Sequence, residues 1–188
     1  EFPKRILIVG GGYIAVEFAG IFHGLGAETI QIYRSELFLR GFDDDLRHGL
    51  AHDMRHKGID LRFQTNAASI EKTDAGLVVT LTDGTQVTVD QVMFATGRRP
   101  MSRGIGLEEI GVAMLDSGAI MVDSDFQTSV KSIYALGDVT DRLNLTPVAL
   151  AEGMALANSL YNNNPTVADY SNVPTHVFSH PNLGTVGL

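Results

Sequence analysis

Gly10-x-Gly12-x-x-Ala15 is the first set of residues in this chain whose spacing can do chemistry. It follows the apolar, β-branched run Lys4–Val9 (KRILIV), which reads as a buried parallel strand, and it opens a helical pattern at Tyr13–His23 (YIAVEFAGIFH). In that context each small residue has a task. Gly10 permits a tight turn, Gly12 lets backbone approach a pyrophosphate with no Cβ in the way, and Ala15 lets the helix lie close to the sheet. The unpaired N–H groups of the first helical turn, with the helix dipole, favour an anion there. The plainer alternative is a glycine-rich strand-to-helix turn with no ligand.

A second group stands where such a site usually carries an acid for the ribose 2′-hydroxyl, about 20 residues on. Here the second strand ends in Tyr33-Arg34, and Arg40 follows within the same loop. Two guanidinium groups near one point suit a doubly charged 2′-phosphate, which each can hold through paired N–H donors. NADP is therefore expected over NAD, although Glu36 offers a displaced ribose acid and both arginines could be plain surface residues. His48, His52 and His56 fall on one helix face at i, i+4, i+8. With no carboxylates arranged around them they are expected to be a solvated face and not a metal site. Asp43-Asp44-Asp45 reads as an acidic first helical turn.

The elements that must hold these residues follow from the pattern. Thr29–Tyr33 is a second strand, Asp43–Lys57 a helix stopped by Gly58, and Asp60–Phe63 a third strand. Alternating strands and helices predict an α/β domain, a Rossmann-like, doubly wound parallel sheet. The pattern then changes to an antiparallel β-meander, with Ala68–Glu71, Gly76–Leu81 and Gln86–Val89 as strands and Thr82-Asp-Gly-Thr85 as a hairpin turn. Gln91–Thr96 returns to a buried strand ending at Gly97. Further on, Ala119–Val122 and Ser132–Leu136 are strand candidates, Pro147–Leu160 is a helix, and Pro174–Leu188 reads as the first strands of another unit.

The 188 residues carry a net charge of −8, which speaks against a general nucleic-acid or membrane-surface binder. No apolar run approaches the roughly 20 residues a spanning helix needs. There is no cysteine, so disulfides, thiolate metal sites and dithiol redox centres are excluded within the chain. The chain starts Glu-Phe-Pro, so it is expected to be a piece of something longer.

GGGYIAVEFAG, YRSELFLRGFD, ATGRRP, YALGDVTDRLNLTPVA and VFSHPNLGTVGL, in this order, resemble the FAD-dependent pyridine nucleotide–disulfide oxidoreductases. The arginine pair and the last motif are closest to the glutathione reductase branch, with the trypanothione reductase branch sharing parts of them. The resemblance covers essentially the whole chain. It implies that Arg34 and Arg40 hold the 2′-phosphate of NADPH beside Gly10, Gly12, Ile14 and Ala15. It also implies that Tyr13 is an aromatic lid over the flavin, with packing on the strand as the plainer role. Glu17, on the same helix face, would pair with a lysine upstream of this chain. Gly97 would lie beside the dinucleotide, Asp138 would accept hydrogen bonds from the FAD ribitol, and backbone near Thr146 and Val148 would face the flavin pyrimidine. His180 reads as structural.

The resemblance further implies a domain order of 1–98 for NADP, 99–170 for the central part of the FAD domain and 171–188 for the start of an interface domain. The family's redox cysteine pair and its His-Pro-Thr segment are absent from the chain, so no catalytic residue is expected in it beyond the assisting Tyr13 and Glu17. The expected behaviour is NADPH binding with weak or no FAD retention. The parent would be a redox-homeostasis enzyme, a homodimer acting on a small-molecule disulfide, with the fragment monomeric. The cytoplasm is the expected compartment, an organelle the alternative. An NADH-linked relative of the lipoamide dehydrogenase kind and a non-catalytic nucleotide-binding module are the competing readings.

Overall fold

A computed structural model describes residues 1–187 of the chain. The chain forms two compact units: Glu1–Gly97 together with Pro174–Val186, and Arg98–Val173 with Gly187.

The first unit is built on four parallel strands, β1 (Arg5–Val9), β2 (Glu28–Tyr33), β3 (Asp60–Phe63) and β7 (Gln91–Phe94), in the order β3-β2-β1-β7. β1 is apolar at nearly every position because both of its faces are covered. Ile6 and Ile8 point to one face, where they pack with Ala15, Val16 and Ala19 of α1 (Tyr13–Gly24) and Leu50, Ala51 and Met54 of α2 (Asp44–His56). Leu7 and Val9 point to the other. There they meet Val79, Leu81, Val87 and Val89 of the meander β4 (Ala67–Thr73), β5 (Gly76–Leu81) and β6 (Gln86–Val89). The expected parallel sheet is therefore the middle of three layers, with helices on one side and the meander in place of a second helical layer. A hairpin of β8 (Thr175–Val177) and β9 (Leu183–Thr185) adds buried Val177 and Leu183 to the helical side.

Local chemistry explains the element ends. Asp43 caps α2, accepting the Leu46 N–H at 3.2 Å, with Asp44 and Asp45 in the first turn and Arg55 and His56 in the last. The expected hairpin turn is closed by Asp83, whose Oδ1 accepts from the Thr85 N–H at 2.9 Å and the Thr85 hydroxyl at 2.7 Å. Those bonds, the hydroxyl's first, hold the Asp83 carboxyl below the usual carboxylate range.

In the second unit a 3₁₀ turn, Gly137–Thr140, leads to α3 (Thr146–Tyr161). The strands expected at Ala119–Val122 and Ser132–Leu136 are not formed as strands. Each makes a single bridge, Ile120 with Met114 and Tyr134 with Gln127. The reason is where their backbone bonds go: the Ile120 N–H to Val139, the Met121 N–H to Ala113, the Ala135 N–H to Phe126. Neighbouring residues address different segments, so no ladder develops. No helix among the described residues is long and apolar enough to cross a membrane.

Candidate functional site: a glycine cradle and an arginine loop

The three glycines after β1 are required for three different reasons. Gly10 has φ 149°, and a Cβ there would stand 2.4 Å from the Ala95 carbonyl oxygen and 3.2 Å from the Ala15 Cβ. A Cβ on Gly11 would lie 2.5 Å from the Tyr33 ring. A Cβ on Gly12 would meet nothing within 4 Å, so that face of the turn is open. Gly12 is also the N-cap of α1, offers no capping side chain, and is followed by no acid in the first turn. The helix therefore presents its first N–H groups with no competing anion of its own. This is a cradle that fits a pyrophosphate.

The turn is held from below by Gln31, fully buried in β2, whose Nε2 donates to the Gly10 carbonyl at 3.1 Å, while the Gly10 N–H donates to Ile32 at 3.0 Å. Tyr13 and Ile14 are half-buried at the start of α1, and Tyr13 packs against the helical-side core. Glu17, whose expected lysine partner lies upstream of this chain, finds another here: its Oε1 accepts the Phe178 N–H at 2.9 Å, joining α1 to the last hairpin.

Arg34 and Arg40 are both exposed, and neither enters an ion pair among the described residues. Between them Leu37, Phe38 and Leu39 turn inward and are buried, Phe38 meeting Phe63 edge-on at 5.5 Å. The Leu39 N–H donates to the Gly11 carbonyl at 2.7 Å, which ties the arginine loop to the glycine cradle. Glu36 is exposed on the same loop. Gly97, with φ 144° and open space where its Cβ would be, closes the first unit.

The remaining expected residues belong to the second unit. Asp138 lies exposed in the 3₁₀ turn, while Thr146 and buried Val148 open α3, which has no capping side chain and no acid in its first turn. A cleft of about 290 Å³ is lined by Arg98, Arg99, Met101, Asp138, Val139 and Asn144 among others. That lining combines two guanidinium groups, one carboxylate and an amide with the apolar Pro100, Met101 and Val139.

One residue of this turn escaped the sequence reading. Glu152 is buried in α3 and accepts the Gly137 N–H on Oε2 and the Tyr170 hydroxyl on Oε1, both at 2.6 Å. The Arg142 guanidinium donates to the same hydroxyl at 2.8 Å and lies 5.1 Å over the Tyr170 ring. Burial, and then the bond to Glu152, push the Tyr170 hydroxyl up from its ordinary value. The signal was present: Glu152 is the one charged residue in Thr146–Tyr161. His48, His52 and His56 are exposed, and no group of three potential ligands able to hold a metal occurs among the described residues. His180 uses its carbonyl, accepting from Lys57 Nζ at 3.1 Å.

Residues 1–153 match the family described as pyridine nucleotide-disulphide oxidoreductase. The chain is 49% identical over 186 residues to a glutathione reductase of Burkholderia cepacia, covering 99% of this chain and 41% of that protein. It is 43% identical over 192 residues to the trypanothione reductase of Trypanosoma congolense, covering 100% of this chain and 39% of that protein. Among solved structures, the HOCl-induced flavoprotein disulfide reductase RclA of Escherichia coli superposes with a TM-score of 0.93 at 32% identity, covering 100% of this chain and 43% of that one. The chain thus spans less than half the length of each of these relatives. A parallel sheet ending in an open glycine cradle, matched to one family over most of its length, settles membership: the chain belongs to the pyridine nucleotide-disulphide oxidoreductases.

Proposed function

We propose that this chain is the NADPH-binding portion of a flavoprotein disulfide reductase whose substrate is glutathione disulfide. The observation that carries the nucleotide reading is the loop of exposed Arg34 and Arg40, hydrogen-bonded through Leu39 to the glycine cradle. Gly10, Gly12, Ile14 and Ala15 form the cradle for the pyrophosphate. Two arginines on the adjoining loop supply the fixed positive charge that a 2′-phosphate needs and a ribose hydroxyl does not. Tyr13 stands at the first helical position as the gate over the nicotinamide side, and Glu17 steadies α1. Gly97 offers backbone without a side chain beside the nucleotide.

In the parent, FAD would take up the cleft beside Asp138, with the open N-terminus of α3 at Thr146 and Val148 favouring negative charge on the ring. The cofactors supply hydride and electron transfer; the protein binds, orients and shields them. Residues 1–98 would form the NADP domain, 99–170 the central part of the FAD domain, and 171–188 the start of an interface domain, of which Leu188 lies outside the described residues. The parent would be a cytoplasmic homodimer. The similarity to trypanothione reductase supports a second reading, in which the same nucleotide chemistry serves a different disulfide.

Titration of the chain with NADPH and NADH tests the nucleotide reading. NADPH is expected to bind at least about tenfold more tightly, as one charge-assisted phosphate contact allows. Arg34→Ala is expected to remove that preference with NADH binding unchanged. Equal affinities in the unsubstituted chain overturn the reading.

A further inference from the structure

Neither arginine of the proposed phosphate loop makes an ion pair among the described residues, so something else must fix how far apart they stand. The loop's backbone shows what does. Arg47 lies on the first turns of α2, with its side chain only 16% exposed. Its Nε donates to the Phe38 carbonyl at 2.8 Å, and its Nη2 donates to the Leu37 carbonyl at 2.9 Å. Its Nη1 is taken by Asp44. One planar fork thus meets two consecutive carbonyls of the segment between Arg34 and Arg40.

We propose that Arg47 is a positioning residue for nucleotide selection, holding the Arg34–Arg40 loop in the shape that presents both guanidinium groups to one 2′-phosphate. This rests on the NADPH reading above. The fork is anchored on a rigid support. α2 is capped by Asp43 and packed on the sheet through Leu50, Ala51 and Met54. The opposite end of the braced segment is tied by the Leu39 N–H to Gly11. Removing the fork leaves the Leu37 and Phe38 carbonyls without their donor, and the loop must relax to find water. Besides its bond from Leu39, the cradle is held at Gly10 by Gln31 and Ile32, which do not move with the loop. A ligand lacking the 2′-phosphate therefore loses little.

The test uses Arg47→Met, which keeps the apolar stem, and Arg47→Lys, which keeps the charge but cannot fork to two carbonyls. Each is titrated with NADPH and with NADH, beside Arg34→Ala. Both Arg47 variants are expected to bind NADPH about tenfold more weakly, with NADH affinity held within about twofold. An equal loss for both nucleotides, or no loss, overturns the inference. So does full recovery in Arg47→Lys, because then charge alone suffices. If Arg47→Met fails to fold by circular dichroism, Arg47→Lys decides by the same criteria. If Arg34→Ala loses the NADPH preference while the Arg47 variants keep it, this inference alone fails. If Arg34→Ala also keeps it, the phosphate reading falls and takes this inference with it.

Discussion

Gly10 and Gly12 were given different tasks from the sequence, and the structure shows how differently they are constrained. Gly10 is held in a conformation that side chains rarely adopt, against the Ala95 carbonyl. Gly10→Ala combines that clash with backbone strain of about 1–3 kcal/mol, and should lower the urea midpoint. Gly12 has an ordinary φ of −83° and open space around it. Gly12→Ala should shift the urea midpoint far less than Gly10→Ala, its main structural effect being on the α1 N-cap, yet weaken NADPH binding about tenfold, because its methyl would enter the space proposed for the pyrophosphate. Fluorescence titration and urea unfolding of the two variants check this pair of outcomes. The tight turn at Gly10 was legible in the strand-turn-helix spacing, although the Ala95 carbonyl that enforces it stands far along the chain. Gly11 was not, because its constraint is the Tyr33 ring at the far end of another strand. Glu17 likewise found its partner 161 positions away, at Phe178.

At the scale of elements, one ion pair joins the start of β1 to the β6–β7 corner. Arg5 reaches Asp90 Oδ1 through Nη2 at 2.6 Å and Nε at 3.2 Å, while Asp90 Oδ2 accepts the N–H groups of Lys4 and Arg5 at 2.9 Å. The Arg5 side-chain bonds first, and the Arg5 N–H next, hold the Asp90 carboxyl below its ordinary range. A carboxyl lowered on folding contributes stability that is fully present above its unfolded value of about 3.9 and is lost as pH falls through the lower folded value. Acid unfolding of Asp90→Asn should therefore show a shallower fall in stability below about pH 4 than the parent chain, followed by circular dichroism. The elements themselves were mostly readable: β1, α1, β3, β5 and β6 fall where periodicity and glycine stops put them. The failures at Ala119–Val122 and Ser132–Leu136 have a shared cause. Strand propensity marks residues that can pair, while a ladder needs a continuous neighbour, which only tertiary structure provides.

The whole molecule divides into two units of unequal core. The first packs apolar residues on both faces of its sheet, whereas one buried cluster of the second is Val112, Ile120 and Ala135. Local stability follows buried apolar contact. Native-state hydrogen exchange should show Leu7, Ile8 and Val9 as the slowest amides, with residues 112–135 exchanging faster and opening at lower denaturant. Uniform protection across both units would contradict this.

By itself the sequence determined the strand-turn-helix, the small residues of the cradle and the two arginines of the following loop, because these depend on local spacing and on residue chemistry. Tertiary structure alone decided that the meander covers one face of the sheet, that Arg47 braces the arginine loop, and that Glu152 holds the Gly137 turn. Those contacts join segments through side chains whose partners are chosen by how the layers pack. Such choices leave little trace in periodicity, beyond a lone charge such as Glu152 in an otherwise apolar helix.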